Sequence, residues 1–279
     1  MPKRLLTILI PWLFASCAAL NRYVYRSNPI NLPGLTEKGQ SRLTADVGGN
    51  IQMQGLNGLG GVDLQGAYAV SNRLTLLGGY SGRSGSDAGS NLYQGAFYPL
   101  SIRDSNNAAN LHYRNNTWEL GAAYTMRFGR HVFMSVSAGG GAGNYHIDDN
   151  GALYDTLYRA YLDAHLTQWF VQPAMYFKLK AVDLGVGFRL AWSHFSNVTT
   201  NYTSEQQTQF SVGDLQGKDM NMFQPFWVLR IRPHLSWLQI ELQGSLNIGG
   251  NSSSTTSYNY YYLNGGVGVS IDPVRLLRR

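Results

Sequence analysis

The chain holds one cysteine, Cys17, in 279 residues, so no disulfide can form within it. Charged residues are also scarce. They make up 14% of the chain, against roughly 25% in ordinary soluble domains, and this shortage argues against long solvated helices. The apolar run Leu5–Phe14 is about half the roughly 20 residues that a membrane-spanning helix needs, and Pro11 interrupts it. A helical span is therefore excluded there. The formal net charge of +6 would suggest nucleic acid, but Lys3 and Arg4 fall in the leader and Arg275, Arg278 and Arg279 in a short tail. What remains is close to balanced, so no nucleic-acid partner is expected.

What is abundant is glycine, 32 residues, and aromatic side chains, 13%. That composition suits one sizeable all-β domain.

The basic head Met1–Arg4, the apolar Leu5–Phe14 and the small Ala15 and Ser16 have the layout of a secretory signal. Phe14-Ala15-Ser16-Cys17 resembles the lipobox of bacterial lipoproteins, with Phe14 where leucine is commoner. That resemblance implies lipidation of Cys17 after removal of residues 1–16. No acidic run follows the cysteine, which implies an anchor in the periplasmic leaflet of the outer membrane. Residues 17–39, with Pro29 and Pro33, read as a lipidated periplasmic tether.

Beyond the tether, side chains alternate. Val62, Leu64, Tyr68 and Val70 share one face, with Asp63, Gln65, Ala67 and Ala69 on the other. The same holds for Trp118, Leu120, Ala122, Tyr124 and Met126 against Glu119, Gly121 and Thr125, and for Leu184, Val186, Phe188, Leu190 and Trp192 against Gly185, Gly187, Arg189 and Ser193. It also holds for Leu238, Ile240, Leu242, Leu246 and Ile248 against Glu241 and Gln243. About ten strands are predicted, near 40–49, 60–70, 73–82, 115–126, 131–145, 164–180, 183–195, 222–232, 237–248 and 259–271. Short connections (71–73, 127–131, 180–183, 232–237) alternate with longer polar ones, the longest at 82–115 and 196–221. Short turns at one rim, long loops at the other and an even strand number predict an antiparallel up-and-down transmembrane β-barrel over 40–272, with a basic periplasmic tail at 273–279. A soluble sandwich or lipocalin-like barrel would need a charged outer face, whereas the non-apolar face here is Gly, Ala, Ser and Gln. Arg73, Arg127, Arg130, Lys178, Lys180, Arg230 and Arg232 crowd the short turns and acids populate the long loops. The long loops are therefore expected outside the cell.

This pattern, with NPINLPGLTEKGQ, LQGAYAVSNRLTLLGGY and WFVQPAMYFKL, resembles the small lipid-anchored outer-membrane barrels of Bacteroidota. The resemblance implies fold and location rather than an activity.

By parity Asp46, Asp63, Glu119 and Glu241 point into the lumen, as do Arg42, Lys178, Arg189 and Arg230. A barrel of about ten strands is only slightly wider than the eight-stranded size that side chains fill, so these charges fit a salt-bridged plug better than a solute path. Glycine runs at 55–61 and 138–143 lack the Lys-Ser or Lys-Thr of a phosphate loop. The six histidines show no paired ligand spacing, so neither metal nor cofactor is expected.

His194-Phe195-Ser196-Asn197 closes the strand that begins at Asp183, with His194 and Ser196 on its lipid-facing side beside Trp192. This His-x-Ser-Asn resembles the motif of outer-membrane lipid A deacylases. The resemblance implies His194 as general base, Ser196 as nucleophile, Asn197 as oxyanion donor and, as the nearest acid, Glu205. Departures from the family are the position of that acid, the larger barrel and Val198 after the asparagine.

The expected function is non-catalytic: a lipid-anchored barrel that binds partners or supports the envelope, in contact with outer-membrane lipid, lipopolysaccharide and possible neighbouring outer-membrane proteins. Loops rich in Tyr, Asn and Ser (201–210, 257–264) suit polar recognition. A lipid A deacylase and a narrow solute channel stand as alternatives, and the oligomeric state is not readable.

Overall fold

A computed structural model describes residues 28–51, 60–88, 109–153, 156–209, 215–217, 219–233, 237–253 and 256–277. The signal peptide, Cys17 and most of the 55–61 glycine run lie outside them.

Ten antiparallel strands form a closed barrel: β1 (Ser41–Ile51), β2 (Gly60–Ala69), β3 (Leu74–Ala88), β4 (Ala109–Arg127), β5 (Val132–Leu153), β6 (Thr156–Lys178), β7 (Val182–Thr200), β8 (Asp219–Ile231), β9 (Leu238–Ser253) and β10 (Thr256–Ile271). Each pairs with its sequence neighbours, and β1 closes on β10 with Val47 opposite Val267. Closure leaves no open sheet edge, which is what lets strands sit in lipid. Among the described residues two short helices are also present, α1 (Ser204–Gln209) and α2 (Pro273–Leu277), the second occupying much of the expected basic tail.

Sidedness follows the alternation. Val47, Leu64, Leu120, Val186, Trp227 and Val267 are exposed outward, while Thr44, Gln65, Ser135, Gln172, Gln224 and Ser270 are buried inward. This apolar exterior around a polar interior is the arrangement of a transmembrane β-barrel. Interior glycines make room for larger neighbours. A Cβ on Gly139 would collide with the Leu120 carbonyl and come within 2.8 Å of Phe170.

The strands reach further than the alternation predicts, and always on the long-loop side. β5 has 22 residues and β6 23, although about 9 to 11 suffice to cross a membrane. Of the polar stretch expected as a loop between 145 and 164, residues 146–153 and 156–163 are strand, and of that between 248 and 259, residues 249–253 and 256–258 are strand. The extensions carry mostly polar residues outward and apolar ones inward, with exposed Leu157 and Tyr161 and buried Asp149 as exceptions. Tyr145, Ile147, Leu162, Leu166, Phe195, Met220 and Met222 form one buried cluster there, roofed by Tyr202 and Leu215 from the segment between β7 and β8.

Residues 28–36 depart from the expected tether. Where described, this stretch runs inside the barrel, with Asn28, Ile30 and Leu32 buried. Ile30 and Leu32 pack with Phe133, Tyr176, Phe226 and Val228, and Leu35 lies against Ala67, Leu77 and Ala123.

Candidate functional site

Three constellations carry chemistry: the lumen, the histidine on the outer wall, and a polar cleft beyond the lipid-facing band.

In the lumen, seven of the eight predicted charges are buried, but their partners differ from a simple pairing of four acids with four bases. Arg189 makes a two-pronged contact with Glu119, one arm at 3.2 Å, and Gln168 donates to the same carboxylate. The Arg189 guanidinium also stacks 4.1 Å from the Phe170 ring centre. Arg230 Nε donates to Glu241 Oε2 at 2.6 Å, and Ser270 Oγ to the same oxygen at 3.2 Å. Asp63 accepts from Ser81 at 2.5 Å and pairs with Arg83 at 2.7 Å. Arg83 was not among the predicted charges, although its parity with Leu77, Gly79 and Ser81 along β3 places it inward. Asp46 accepts from Gln243, not from a base.

Two predicted bases have no acid within ion-pair distance among the described residues. Lys178, only partly buried, reaches Thr36 Oγ1 at 3.3 Å and lies 5.6 Å from the Phe133 ring centre. Arg42 donates to the carbonyls of Leu32 and Pro33 and to Asn31 Oδ1 at 2.9 Å. Backbone oxygens of the inserted segment thus take the place of a carboxylate, since an interior cation persists only with acceptors around it.

On the outer wall, His194 is exposed and its Nδ1 lies 2.8 Å from Asp219 Oδ1 on β8. Strand register explains the meeting, since His194 stands directly opposite Asp219. Glu205, the acid expected beside His194, sits exposed on α1. The signal for Asp219 was its position at the start of the neighbouring strand. Ser196 follows two residues after His194 and faces His165 across β6. Asn197 has φ 51°, a left-handed conformation that a non-glycine residue adopts only where the surroundings hold it. It falls where the β6–β7 register shifts between Asp163 and His165.

The cleft lies beside this irregularity and is lined by Arg114, Asn116, Asn144, His146, Asp163 and His165. Its centre is His146, bonded through Nδ1 to Asp163 at 2.6 Å and through Nε2 to Asp148 at 3.0 Å. Partial burial opposes the imidazolium, but the bonds to Asp163 and Asp148 outweigh it and raise the His146 pKa above its ordinary 6.5. Among the described residues, no group of three or more His, Cys, Asp or Glu is arranged to hold a metal ion.

No family model matches the chain, and no curated protein does. Solved structures share its outline. The outer membrane protease OmpT of Escherichia coli is 8% identical, covering 84% of this chain and 94% of that one at a TM-score of 0.45. The translocator domain of the autotransporter NalP of Neisseria meningitidis is 11% identical, with coverages of 85% and 90% and a TM-score of 0.46. The attachment invasion locus protein Ail of Yersinia pestis is 10% identical, with coverages of 84% and 98% and a TM-score of 0.31. At these values nothing about activity passes from them to this chain.

Proposed function

We propose that the protein is a lipid-anchored barrel of the bacterial outer membrane that acts through its outward-facing surface and does not conduct. The observation that carries this reading is the filled lumen. Residues 28–36 and the Arg189–Glu119, Arg230–Glu241 and Arg83–Asp63 pairs occupy the membrane-spanning half. The cluster of Tyr145, Leu162, Phe195 and Met222 fills the β4–β8 side of the other half. Support for the membrane comes from the apolar outer wall, and support for the outer membrane from the strand-only crossing together with the export signal. Lipidation of Cys17 rests on the lipobox-like residues 14–17. Polar residues around the cleft suit recognition of sugars or polar loops of a partner.

Planar-bilayer recording of the purified protein tests the closed lumen. No conductance is expected, and stable ion-selective openings would make the solute-channel alternative correct. In cells, loss of fatty-acid labelling on Cys17→Ala is the expected mark of the anchor.

The His194–Asp219 contact favours a second reading, a serine esterase acting on outer-leaflet lipid A. Asp219 would hold the imidazole, His194 would take the Ser196 proton and Asn197 would donate to the oxyanion. No hydrogen bond joins His194 to Ser196, so the nucleophile is not engaged in this conformation. Lipid A mass spectra from cells overproducing the protein or Ser196→Ala decide between the readings. Spectra identical to those of empty-vector cells are expected for the non-catalytic protein, and an acyl chain lost only with the unmodified protein would establish the esterase.

A further inference from the structure

The barrel grips an extended stretch of its own polypeptide much as a peptide-binding groove grips a ligand, and the direction of that stretch has a topological consequence. Thr36 meets Lys178 at the short-turn end of β6. Leu32 packs so closely against Gly185, near the start of β7, that a Cβ there would collide with it. Asn31 donates from Nδ2 to the carbonyls of Gly78 at 3.0 Å and Gly66 at 3.2 Å, and its own carbonyl accepts from Gln172 at 3.3 Å. Asn28 accepts from Thr117, which lies beyond Arg127, the short-turn end of β4, by a full membrane crossing of about 9 to 11 residues. Read from Asn28 to Thr36, the segment descends the lumen from the long-loop side to the short-turn side.

The grip is specific to a peptide backbone. Arg42 and Arg230 both donate to the Leu32 carbonyl, and Arg42 donates to that of Pro33 as well. Ile30 and Leu32 fill one apolar pocket of the wall. Beside the segment lie two cavities of about 10 Å³ each, roughly the space of a single water. Neither cavity has room for a second pass of chain back toward the short turns.

We propose that the lumen is a binding conduit for residues 28–36, threaded from the long-loop rim, so that the chain ahead of Asn28 leaves the barrel on the long-loop side. The inference rests on the membrane reading above only for which rim faces out of the cell. With the long loops outside, acyl chains on Cys17 would sit in the outer leaflet, in place of the periplasmic-leaflet anchor expected from the sequence. The N-terminal stretch would then be displayed at the cell surface.

Two measurements test the threading. In a Cys17→Ala background, purified and folded protein carrying Asn28→Cys with Thr117→Cys is expected to oxidise to an internal disulfide, whereas Asn28→Cys with Ser135→Cys, near the short-turn rim, is expected to stay reduced. The opposite result, or no disulfide in either, overturns the proposal. In cells, an epitope inserted directly ahead of Asn28 is expected to bind antibody on intact cells, as does one inserted at Thr203, while one at Ser71 binds only after permeabilisation. An Asn28 epitope that behaves like the Ser71 epitope overturns the proposal. Should Ser71 be the surface-exposed site and Thr203 the hidden one, the orientation of the membrane reading fails, and the threading stands provided the Asn28 epitope still follows Thr203.

Discussion

The two halves of the barrel bury different mixtures of side chain. In the half next to the short turns, β5 turns Ser135 and Ser137 inward and Val136 outward. Further along the same strand, Tyr145 and Ile147 face inward while Asn144, His146 and Asp148 face outward. Neighbouring β6 repeats the exchange: Gln172 and Gln168 lie inside and Trp169 and Val171 outside, then Leu162 and Leu166 inside and Asp163 and His165 outside. The β5–β6 pairing continues unbroken across the change, so what switches along β5 is the solvent. Lipid surrounds one half and water the other, and Trp118, Trp169 and Trp192, exposed at 61%, 68% and 44%, stand near the boundary as interfacial tryptophans do. The core of the outer half is mainly apolar around the buried Asp149; the core of the inner half combines ions, amides and an inserted peptide with the apolar Phe133, Tyr176, Phe226 and Val228.

The difference predicts different failures. In the inner half a broken ion pair leaves a charge in a dry lumen. Arg189→Ala is expected to destabilise the barrel by about 3–5 kcal/mol, measured as the urea midpoint in detergent or bilayer, and a double change of Arg189→Met with Glu119→Leu should recover much of that loss. If Arg189→Ala leaves the midpoint unmoved, the lumen is wet and the pair is screened.

In the outer half the loss is apolar. Leu162→Ala, at a site fully buried against Tyr145 and Phe195 in the same cluster, is expected to cost about 2–5 kcal/mol. The damage should be local, read as faster amide exchange in the ends of β5 and β6 with the membrane-spanning residues still protected. Uniform acceleration along both strands would mean that the two halves are one cooperative core.

The smallest effect concerns His146. Because its pKa is raised in the folded protein, the Asp148–His146–Asp163 bridge is complete below the unfolded value and is lost as pH rises through the folded one. Amide protection at the outer ends of β5 and β6, taken relative to the intrinsic base-catalysed exchange rate at each pH, should therefore fall on going from mildly acidic to alkaline pH. Asp148→Asn with Asp163→Asn should remove that dependence by returning the imidazole toward its ordinary value. An unchanged pH profile in the double variant would place the titration elsewhere.

Much of this was legible in the sequence because a membrane strand advertises itself by period. The outward Leu64, Trp118, Val186 and Ile240 and the inward Asp63, Glu119, Arg189 and Glu241 all follow from parity. The outer extensions escaped because their outward residues are polar, so Asn144-x-His146-x-Asp148 has the composition of a loop. Their inward Tyr145 and Ile147 were the available signal. The inserted segment escaped because NPINLPG carries two prolines and no ladder partner, although Ile30 and Leu32 alternate around Asn31 as a buried extended chain would. Asp219 was missed as the partner of His194 because pairing register is a tertiary property. Glu205 is nearer in sequence, but it belongs to α1 and not to the neighbouring strand.

The exchange of solvent along one strand is the central claim, and spin labels read it directly. Single cysteines at the outward positions of β5 from Met134 to Asp148, in a Cys17→Ala background and in lipid bilayers, would each be scored for collision with oxygen and with a water-soluble nickel complex. Oxygen is expected to dominate at Met134, Val136 and Ala138, and the nickel complex at Asn144, His146 and Asp148. An oxygen-dominated profile continuing to Asp148, or nickel access already at Val136, would contradict the account.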